Sequence, residues 1–210
     1  MSRLLITALA LFTLGCGTSD KPASVKQKTP ANATQVEMQR AAKTLVSGFM
    51  RDLKSELMGA MKKGGPAEAI GACQIKAPQI AGDFSDRQWS IRRVTEKPRN
   101  PLNRANPHEQ EILRSFADTL RQVRFFDEFD DPINKTGYTY YQPIKMGRFC
   151  LKCHGASKSL DEKVALALQD KYPDDKALDY SAGDLRGMFV VTIENKDAVG
   201  QLQRALSDSL

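Results

Sequence analysis

The residues best suited to chemistry are two cysteines and a histidine within residues 149–155, which read Phe-Cys-Leu-Lys-Cys-His-Gly. Cys150 and Cys153 are separated by two residues and His154 follows directly, a spacing typical of c-type haem attachment. Each thiol there bonds to one vinyl group of the porphyrin, and the adjacent imidazole reaches the iron from the proximal side. The sequence therefore predicts one covalent haem c, attached through Cys150 and Cys153 and ligated by His154.

A Cys-x-x-Cys pair also occurs in redox dithiols and in zinc sites. A redox dithiol is expected beside a βαβ pattern, which this sequence does not show. A four-ligand zinc site needs further ligands, and the remaining side chains of the right kind, Cys16, Cys73 and His108, are scattered along the chain. Haem is favoured over both alternatives, because an export signal also lies upstream of the motif.

The N-terminus is predicted to be that export signal. Arg3 provides a basic start, and the mostly apolar run over residues 4–14 is too short to span a membrane. The run ends just before Cys16, as in bacterial lipoprotein signals, although Thr13 stands where such signals usually carry leucine. We expect residues 1–15 to be a signal peptide and Cys16 to anchor the protein to a membrane in the periplasm, with ordinary cleavage nearby as the alternative.

Composition places the rest of the chain among ordinary globular proteins. Of 210 residues, 41% are hydrophobic and 27% are charged, and the length is enough for one domain with its own core. Residues 16–34 are polar and rich in Thr, Ser, Lys and Pro, which predicts a flexible tether ahead of a folded domain over residues 35–210. The net charge of +6 is scattered, which hints at an anionic partner or membrane surface, and no nucleic-acid motif accompanies it.

The first part of the domain has helical periodicity. Apolar residues recur every three or four positions over residues 34–63, and two glycines then end this long helix. Pro66 opens a second helix at a position that proline tolerates. This helix should stop near Ala77, with a further turn over residues 80–83, because Pro78 disfavours helix before it.

The rest of the domain mixes strands and helices. Residues 125–136 are acidic and turn-like. The class is therefore α+β, with a small antiparallel sheet and flanking helices. The predicted strands cover residues 88–95, 138–145 (with Pro143 at an edge or a bulge) and 185–194, and the predicted helices cover residues 107–124, 159–171 (capped by Ser159) and 197–210.

Cys73 is the one cysteine left without a role once the haem motif and the lipid anchor are assigned. A lone thiol in an oxidising compartment is either an inert small hydrophobe or, here, a candidate for the sixth iron ligand. A thiolate binds ferric iron and favours the oxidised state. The competing ligands are Met188, Met146 and His108, and an open iron site is a further alternative.

Longer motifs surround the haem signature in a fixed order. They are Ala72-Cys73-Gln74-Ile75-Lys76-Ala77-Pro78 with Ile80, Trp89-Ser90-Ile91-Arg92-Arg93, Lys97-Pro98-Arg99-Asn100-Pro101-Leu102-Asn103, Tyr172-Pro173-Asp174-Asp175 and Gly183-Asp184-Leu185-Arg186-Gly187. Together they resemble the PAS-like c-type haem domain family, whose members occur alone or as extracytoplasmic sensors of histidine kinases and chemoreceptors. The resemblance covers about residues 36–194 and implies a PAS-like antiparallel sheet with flanking helices. It also implies that His154 and Cys73 are the axial ligands of the iron.

Arginines are the expected partners of the two haem propionates, because a guanidinium group matches a carboxylate. Arg92, Arg93 and Arg99 are the candidates, and Arg148 is a further one. Arg92 and Arg93 point to opposite faces of the predicted strand, so at most one of them contacts a propionate directly. A solvated surface arginine is the alternative for each.

These features predict an exported, lipid-anchored haem protein that acts as a one-electron redox carrier or redox sensor, and not as an enzyme. Two protein ligands leave no open site for oxygen or peroxide chemistry, and a peroxidase would need His108 as its distal acid–base group. The alternative is a haem-based gas sensor in which Cys73 leaves the iron on reduction. Either function needs a separate redox or signalling partner protein.

Overall fold

The computed structural model describes residues 33–118, 125–130 and 136–208. The predicted signal peptide, the predicted lipid-anchor residue Cys16 and almost all of the predicted tether lie outside these ranges. Within the three described ranges, no helix combines the length and the apolarity needed to cross a bilayer.

Five helices and four strands make up the described part of the chain. The strands form one antiparallel sheet in the order β1-β4-β3-β2, which confirms the predicted α+β class. The last part of the helix predicted over residues 107–124 lies outside the described residues. In chain order the elements are α1 (Ala33–Asp83), β1 (Trp89–Val94), α2 (Pro107–Asp118), β2 (Phe125–Asp130), β3 (Thr136–Lys145), α3 (Leu151–His154), α4 (Glu162–Lys171), β4 (Leu185–Ile193) and α5 (Lys196–Asp208).

Strand β4 lies between β1 and β3 and is buried on both faces. Its residue Val191 pairs with Ile91 of β1 and with Tyr140 of β3. Alternate residues along β4 belong to two apolar clusters, one against α1 and α5 and the other against α2. A strand covered on both faces needs a continuous apolar run, which is why its sequence does not alternate with polar residues. Strand β4 contributes Phe189, Val191 and Ile193 to the first cluster, and Met188 and Val190 to the second.

Helix α1 consists of two segments joined at a glycine break. Gly65 has a φ of 74°, and Pro66 begins the second segment, as predicted. The second segment continues through Pro78, so the predicted end near Ala77 was wrong and the anticipated extra turn belongs to the same helix. Ile80 in that turn is buried against the first apolar cluster, and this packing offsets the hydrogen bond that the proline removes.

Residues 125–130 form strand β2, so the prediction of an acidic turn over them was wrong. Phe125 lies opposite Tyr141 of β3, and Asp130 lies opposite Thr136. Strand β2 is the last in the sheet order, and edge strands commonly carry charged residues. Residues 125–130 therefore form a strand because they pair with β3, and not because of their composition.

Strand β3 ends in an irregular pairing. Its register with β4 shifts between Ile144 and Lys145, directly after Pro143. The sequence predicts an edge position or a bulge for Pro143, and the pairing is indeed irregular directly after it, but the extra residue, Arg186, lies in β4. The chain passes from the end of β3 into residues 149–155.

Helix α4 is capped by Asp161, and not by Ser159 as predicted. A carboxylate oxygen of Asp161 accepts hydrogen bonds from the N–H groups of Lys163 (2.9 Å) and Val164 (3.4 Å). Ser159 belongs instead to the short 3-10 turn Ser157–Ser159. Serine and aspartate are both good caps, so the path of the backbone decides which one is used.

Replacing Gly187 with alanine should destabilise the fold, because Gly187 allows β4 to approach β1 closely. Its φ is 154°, and a Cβ atom there would lie 2.3 Å from the carbonyl oxygen of Val94. We expect a loss of about 2–4 kcal/mol in the free energy of unfolding, measured by urea denaturation.

The matched control for this prediction is Gly59→Ala in α1. A Cβ atom at Gly59 meets nothing within 4 Å, and alanine is favoured over glycine in a helix by about 0.5–1 kcal/mol. The control should therefore be as stable as the original protein or more so. Equal unfolding free energies for the two variants would contradict the prediction.

Candidate functional site

The three residues of the predicted attachment motif lie on one helical turn. The 3-10 turn Arg148–Cys150 leads directly into the short helix α3. Residues three and four apart on a helix share a face, so Cys150, Cys153 and His154 are directed to the same side. Cys150 is exposed, whereas Cys153 and His154 are half-buried. Both thiols are free, as thioether attachment requires.

The imidazole of His154 is held by a hydrogen bond to the main chain. Its Nδ1 lies 2.7 Å from the carbonyl oxygen of Ala177, so Nδ1 carries the proton and donates it, and Nε2 keeps its lone pair. Burial, followed by the positive charges of Arg99 and Arg186, lowers the pKa of His154 to about 3. The ring is therefore neutral at pH 7 and offers Nε2 as a metal ligand.

Residues 175–180, here called the 175–180 loop, are bonded to the motif along the main chain. The N–H of Asp179 donates to the carbonyl of Gly155 (2.9 Å), and the N–H of Tyr180 donates to the carbonyl of the motif histidine (3.0 Å). The carboxylate of Asp179 accepts from the N–H of Ser157 (2.7 Å). Asp179 has a φ of 61°, which aspartate tolerates better than most residues. These bonds fix the loop that holds the imidazole.

Arg99 connects the motif to the 175–180 loop. Its Nε donates to a carboxylate oxygen of Asp175 (2.9 Å), and one terminal nitrogen donates to the carbonyl oxygens of Cys153 (2.5 Å) and Ala177 (3.4 Å). The other oxygen of Asp175 accepts from the N–H of Ala177 (2.8 Å). The side chains of Arg99 and Asp175 are only 13% and 6% exposed, so solvent screens this ion pair weakly. The sequence makes Arg99 a candidate propionate partner, but in the structure its guanidinium is bonded to a carboxylate and to two carbonyls of the protein.

Cys73 lies on the second segment of α1, near this group. Ile70, one helical turn earlier, packs with Cys153 against α4. Arg93 and Arg99 are the positive charges that act on the Cys73 thiol. Burial raises the pKa of Cys73, and the two guanidinium groups oppose that rise. The structure thus brings Cys73, Cys153 and two cations into one region.

Two half-buried arginines add positive charge to the same region. Arg93 lies over the ring of Phe49, 5.6 Å from its centroid, and among the described residues no carboxylate forms an ion pair with it. Burial, and then the charge of Arg186, lowers the pKa of Arg93. Arg186 lies 5.6 Å from the ring centroid of Tyr180, and burial lowers its pKa as well. Positive side chains therefore outnumber negative ones around the motif histidine.

Arg92 points to the opposite face of β1 from Arg93. Its guanidinium forms an ion pair with Glu109, whose side chain is almost fully buried. Glu109 also accepts from the N–H of Asn106 (2.9 Å) at the start of α2. The structure thus places Arg92 away from the motif, whereas Arg148 lies exposed at its edge.

The alternative sixth ligands occupy different places in the fold. Met188 is fully buried in the apolar cluster against α2, and His108 is exposed at the start of α2. Met146 is buried at the end of β3. Cys73 and His154 have Arg93 and Arg99 as charged neighbours in common. In the described ranges, His, Cys, Asp and Glu side chains form no group of three or more that could hold a metal ion, so the zinc alternative has no ligand set there.

Known proteins are similar to this chain in sequence and in fold. The family model described as Tll0287-like matches residues 21–194, which include the motif and the 175–180 loop. This chain belongs to the Tll0287-like family. A solved structure similar to this chain is described as the crystal structure of the cyanobacterial heme-protein Tll0287, with 27% identity and a TM-score of 0.52; the match covers 78% of this chain and 97% of that chain. The family resemblance found in the sequence motifs is thereby confirmed, and no curated protein matches the chain.

Among the contributors to the site in this Tll0287-like protein, no role was assigned from the sequence to Asp175, Ala177 and Arg186. Asp175 and Arg186 stand in the longer motifs that carry the family resemblance, and that position is the signal by which they could have been found. Ala177 contributes its carbonyl oxygen, which every residue type possesses. No sequence pattern could therefore have identified it.

Replacing Asp179 with alanine should loosen the 175–180 loop. The change removes the acceptor of the Ser157 N–H and places alanine at a φ of 61°, which it adopts poorly. Asp179→Asn is the matched control, because asparagine keeps an acceptor oxygen and tolerates the left-handed region. Amide hydrogen exchange at Ser157 and Tyr180 should accelerate in the alanine variant alone, and equal exchange rates in the two variants would refute this role.

Proposed function

We propose that this protein carries one haem c and exchanges single electrons with a partner protein. The haem would be attached through Cys150 and Cys153, and His154 and Cys73 would be the protein ligands of its iron. The observation that carries the proposal is the neutral, oriented imidazole of His154, which lies beside two free cysteines and offers Nε2. The relationship to a haem protein of the same family supports it.

The donor set of the site fits a haem better than a bare ion. Thiols spaced for two vinyl groups and an imidazole on the same helical face are what covalent haem attachment requires. The charge balance fits as well, since Arg93 has no carboxylate partner among the described residues and Arg186 lies nearby. Two propionates would supply the missing negative charge and relieve the repulsion between these guanidinium groups.

The protein's own groups position the ligands and control their charge. The carbonyl of Ala177 sets the tautomer and the plane of the His154 ring. Burial raises the pKa of Cys73, and the positive charges of Arg93 and Arg99, which favour a thiolate, offset part of that rise. When bound, the haem supplies an iron that changes its oxidation state by one electron. Because two protein side chains, His154 and Cys73, would ligate the iron, we propose electron exchange rather than catalysis.

We also propose that the protein works outside the cytoplasm. A signal peptide over residues 1–15 and a lipid on Cys16 would hold the domain at a membrane surface in the periplasm, the compartment in which haem c is attached and thiols are oxidised. The partner would be a redox protein or a separate signalling protein.

Mass spectrometry of the purified protein tests the attachment. Protein made in a host with a working cytochrome maturation pathway should carry the extra mass of one haem. Changing Cys150 and Cys153 together to alanine should abolish it, because no thiol then remains to form a thioether. Cys73→Ala is the control and should retain the full added mass. Free thiols and no porphyrin on the original protein would overturn the proposed function.

Changing Cys73 to alanine should alter the ferric visible spectrum and raise the reduction potential, because a negatively charged thiolate stabilises ferric iron. Spectroelectrochemistry on the purified holoprotein measures both quantities. Met188→Leu is the control, since Met188 is buried against α2 and its replacement should leave the ferric spectrum unchanged. An unaltered spectrum in the Cys73 variant would show that this thiol is not a ligand.

The reduced holoprotein also distinguishes electron exchange from gas sensing. If both axial ligands stay bound after reduction, carbon monoxide should leave the visible spectrum unchanged. A new band on addition of carbon monoxide would instead favour a sensor in which Cys73 is displaced.

A further inference from the structure

Arg99 is bonded to the same carbonyl oxygen that holds the motif imidazole. We propose that Arg99 is a positioning residue that weakens the hydrogen bond from His154 to Ala177 and thereby raises the reduction potential of the iron. This inference rests on the proposed haem ligation by His154. It assigns Arg99 a role distinct from a propionate contact.

The carbonyl oxygen of Ala177 accepts two hydrogen bonds. The Nδ1 of His154 lies 2.7 Å away, and a terminal nitrogen of Arg99 lies 3.4 Å away. Two donors on one acceptor compete for its electron density, and a cationic donor draws more of it than a neutral one. Arg99 therefore makes this oxygen a poorer acceptor for the imidazole proton.

Arg99 has little freedom to leave this position. Its Nε donates to Asp175, and the terminal nitrogen that reaches Ala177 also donates to the carbonyl of Cys153. The second carboxylate oxygen of Asp175 accepts a hydrogen bond from the N–H of Ala177. The same carboxylate therefore aligns both Arg99 and Ala177. Both side chains of the ion pair are largely shielded from water. The geometry is therefore built into the fold rather than being a surface contact.

The hydrogen bond at Nδ1 controls how strongly a histidine donates to its metal. A strong acceptor gives the ring more imidazolate character and makes Nε2 a better donor, which favours the oxidised metal. A weakened acceptor has the opposite effect. The positive charge of Arg99 acts in the same direction, because it disfavours the more positive ferric state.

The test uses the reduced holoprotein, labelled with nitrogen-15 in histidine. In Arg99→Gln the Nδ1 proton resonance of His154 should move downfield, since its hydrogen bond becomes stronger, and the reduction potential should fall. Arg186→Gln is the matched control. It removes another nearby positive charge, so the potential should fall too, but Arg186 has no hydrogen bond to Ala177 and the proton resonance should stay in place.

The outcomes distinguish an effect of Arg99 through the hydrogen bond from His154 to Ala177 from an effect of its charge alone. A downfield shift in Arg99→Gln alone, with the larger fall in potential, supports the proposal. An unchanged resonance in Arg99→Gln, or the same shift in both variants, would show that Arg99 acts only as a charge and would overturn it. Absence of haem from the original protein would instead refute the proposed function.

A second variant keeps the test available should Arg99→Gln fail to fold. Arg99→Lys keeps the cation but offers donors at one point rather than in a fork. A lysine at this position can remain paired with Asp175, but it should lose the long contact to Ala177. The Nδ1 proton resonance of His154 should therefore move downfield. Most of the effect of the positive charge on the reduction potential should be retained. A resonance identical to that of the original protein would count against the proposal.

Discussion

The hydrogen bond from His154 to the carbonyl of Ala177 joins the two parts of the chain from which the site is built. One part is the motif turn after β3, and the other is the 175–180 loop before β4. The same bond selects the tautomer in which Nε2 is free, so a single contact links the chain path to the ligand chemistry. Arg99, from a third segment that follows β1, is bonded to both parts: to the carbonyl of Cys153 in the motif and to Asp175 in the loop.

Positive charge is the second constraint on the site. Arg93, Arg99 and Arg186 lie close enough to act on the same imidazole, in a region shielded from water. Asp175 compensates one of them. An unpaired cation away from water is unfavourable, so the fold is suited to a bound group that brings its own negative charges. A haem with two propionates meets that requirement, whereas a bare metal ion would add to the repulsion.

Local patterns predicted most of the elements, because their signals lie within each segment. The apolar run of β4 and the periodicity of α1 required no knowledge of their partners. The segments that were predicted wrongly depend on distant contacts. Strand β2 exists through its pairing with β3, and the end of α1 extends past Pro78 because Ile80 packs on the sheet. The capping of α4 by Asp161 likewise follows from the backbone path.

The amino-acid sequence by itself determined the family, through motifs that are local properties of the chain, and the spacing of Cys150, Cys153 and His154 predicts the chemistry of the site. Only the tertiary structure decided how the arginines are used. Arg92 forms an ion pair with a buried carboxylate on the opposite face of the sheet. Arg93 lies near Cys73, and Arg99 donates hydrogen bonds to main-chain carbonyls. The reason is physical, since a hydrogen bond to a carbonyl depends on where the backbone runs and not on which residue supplies it.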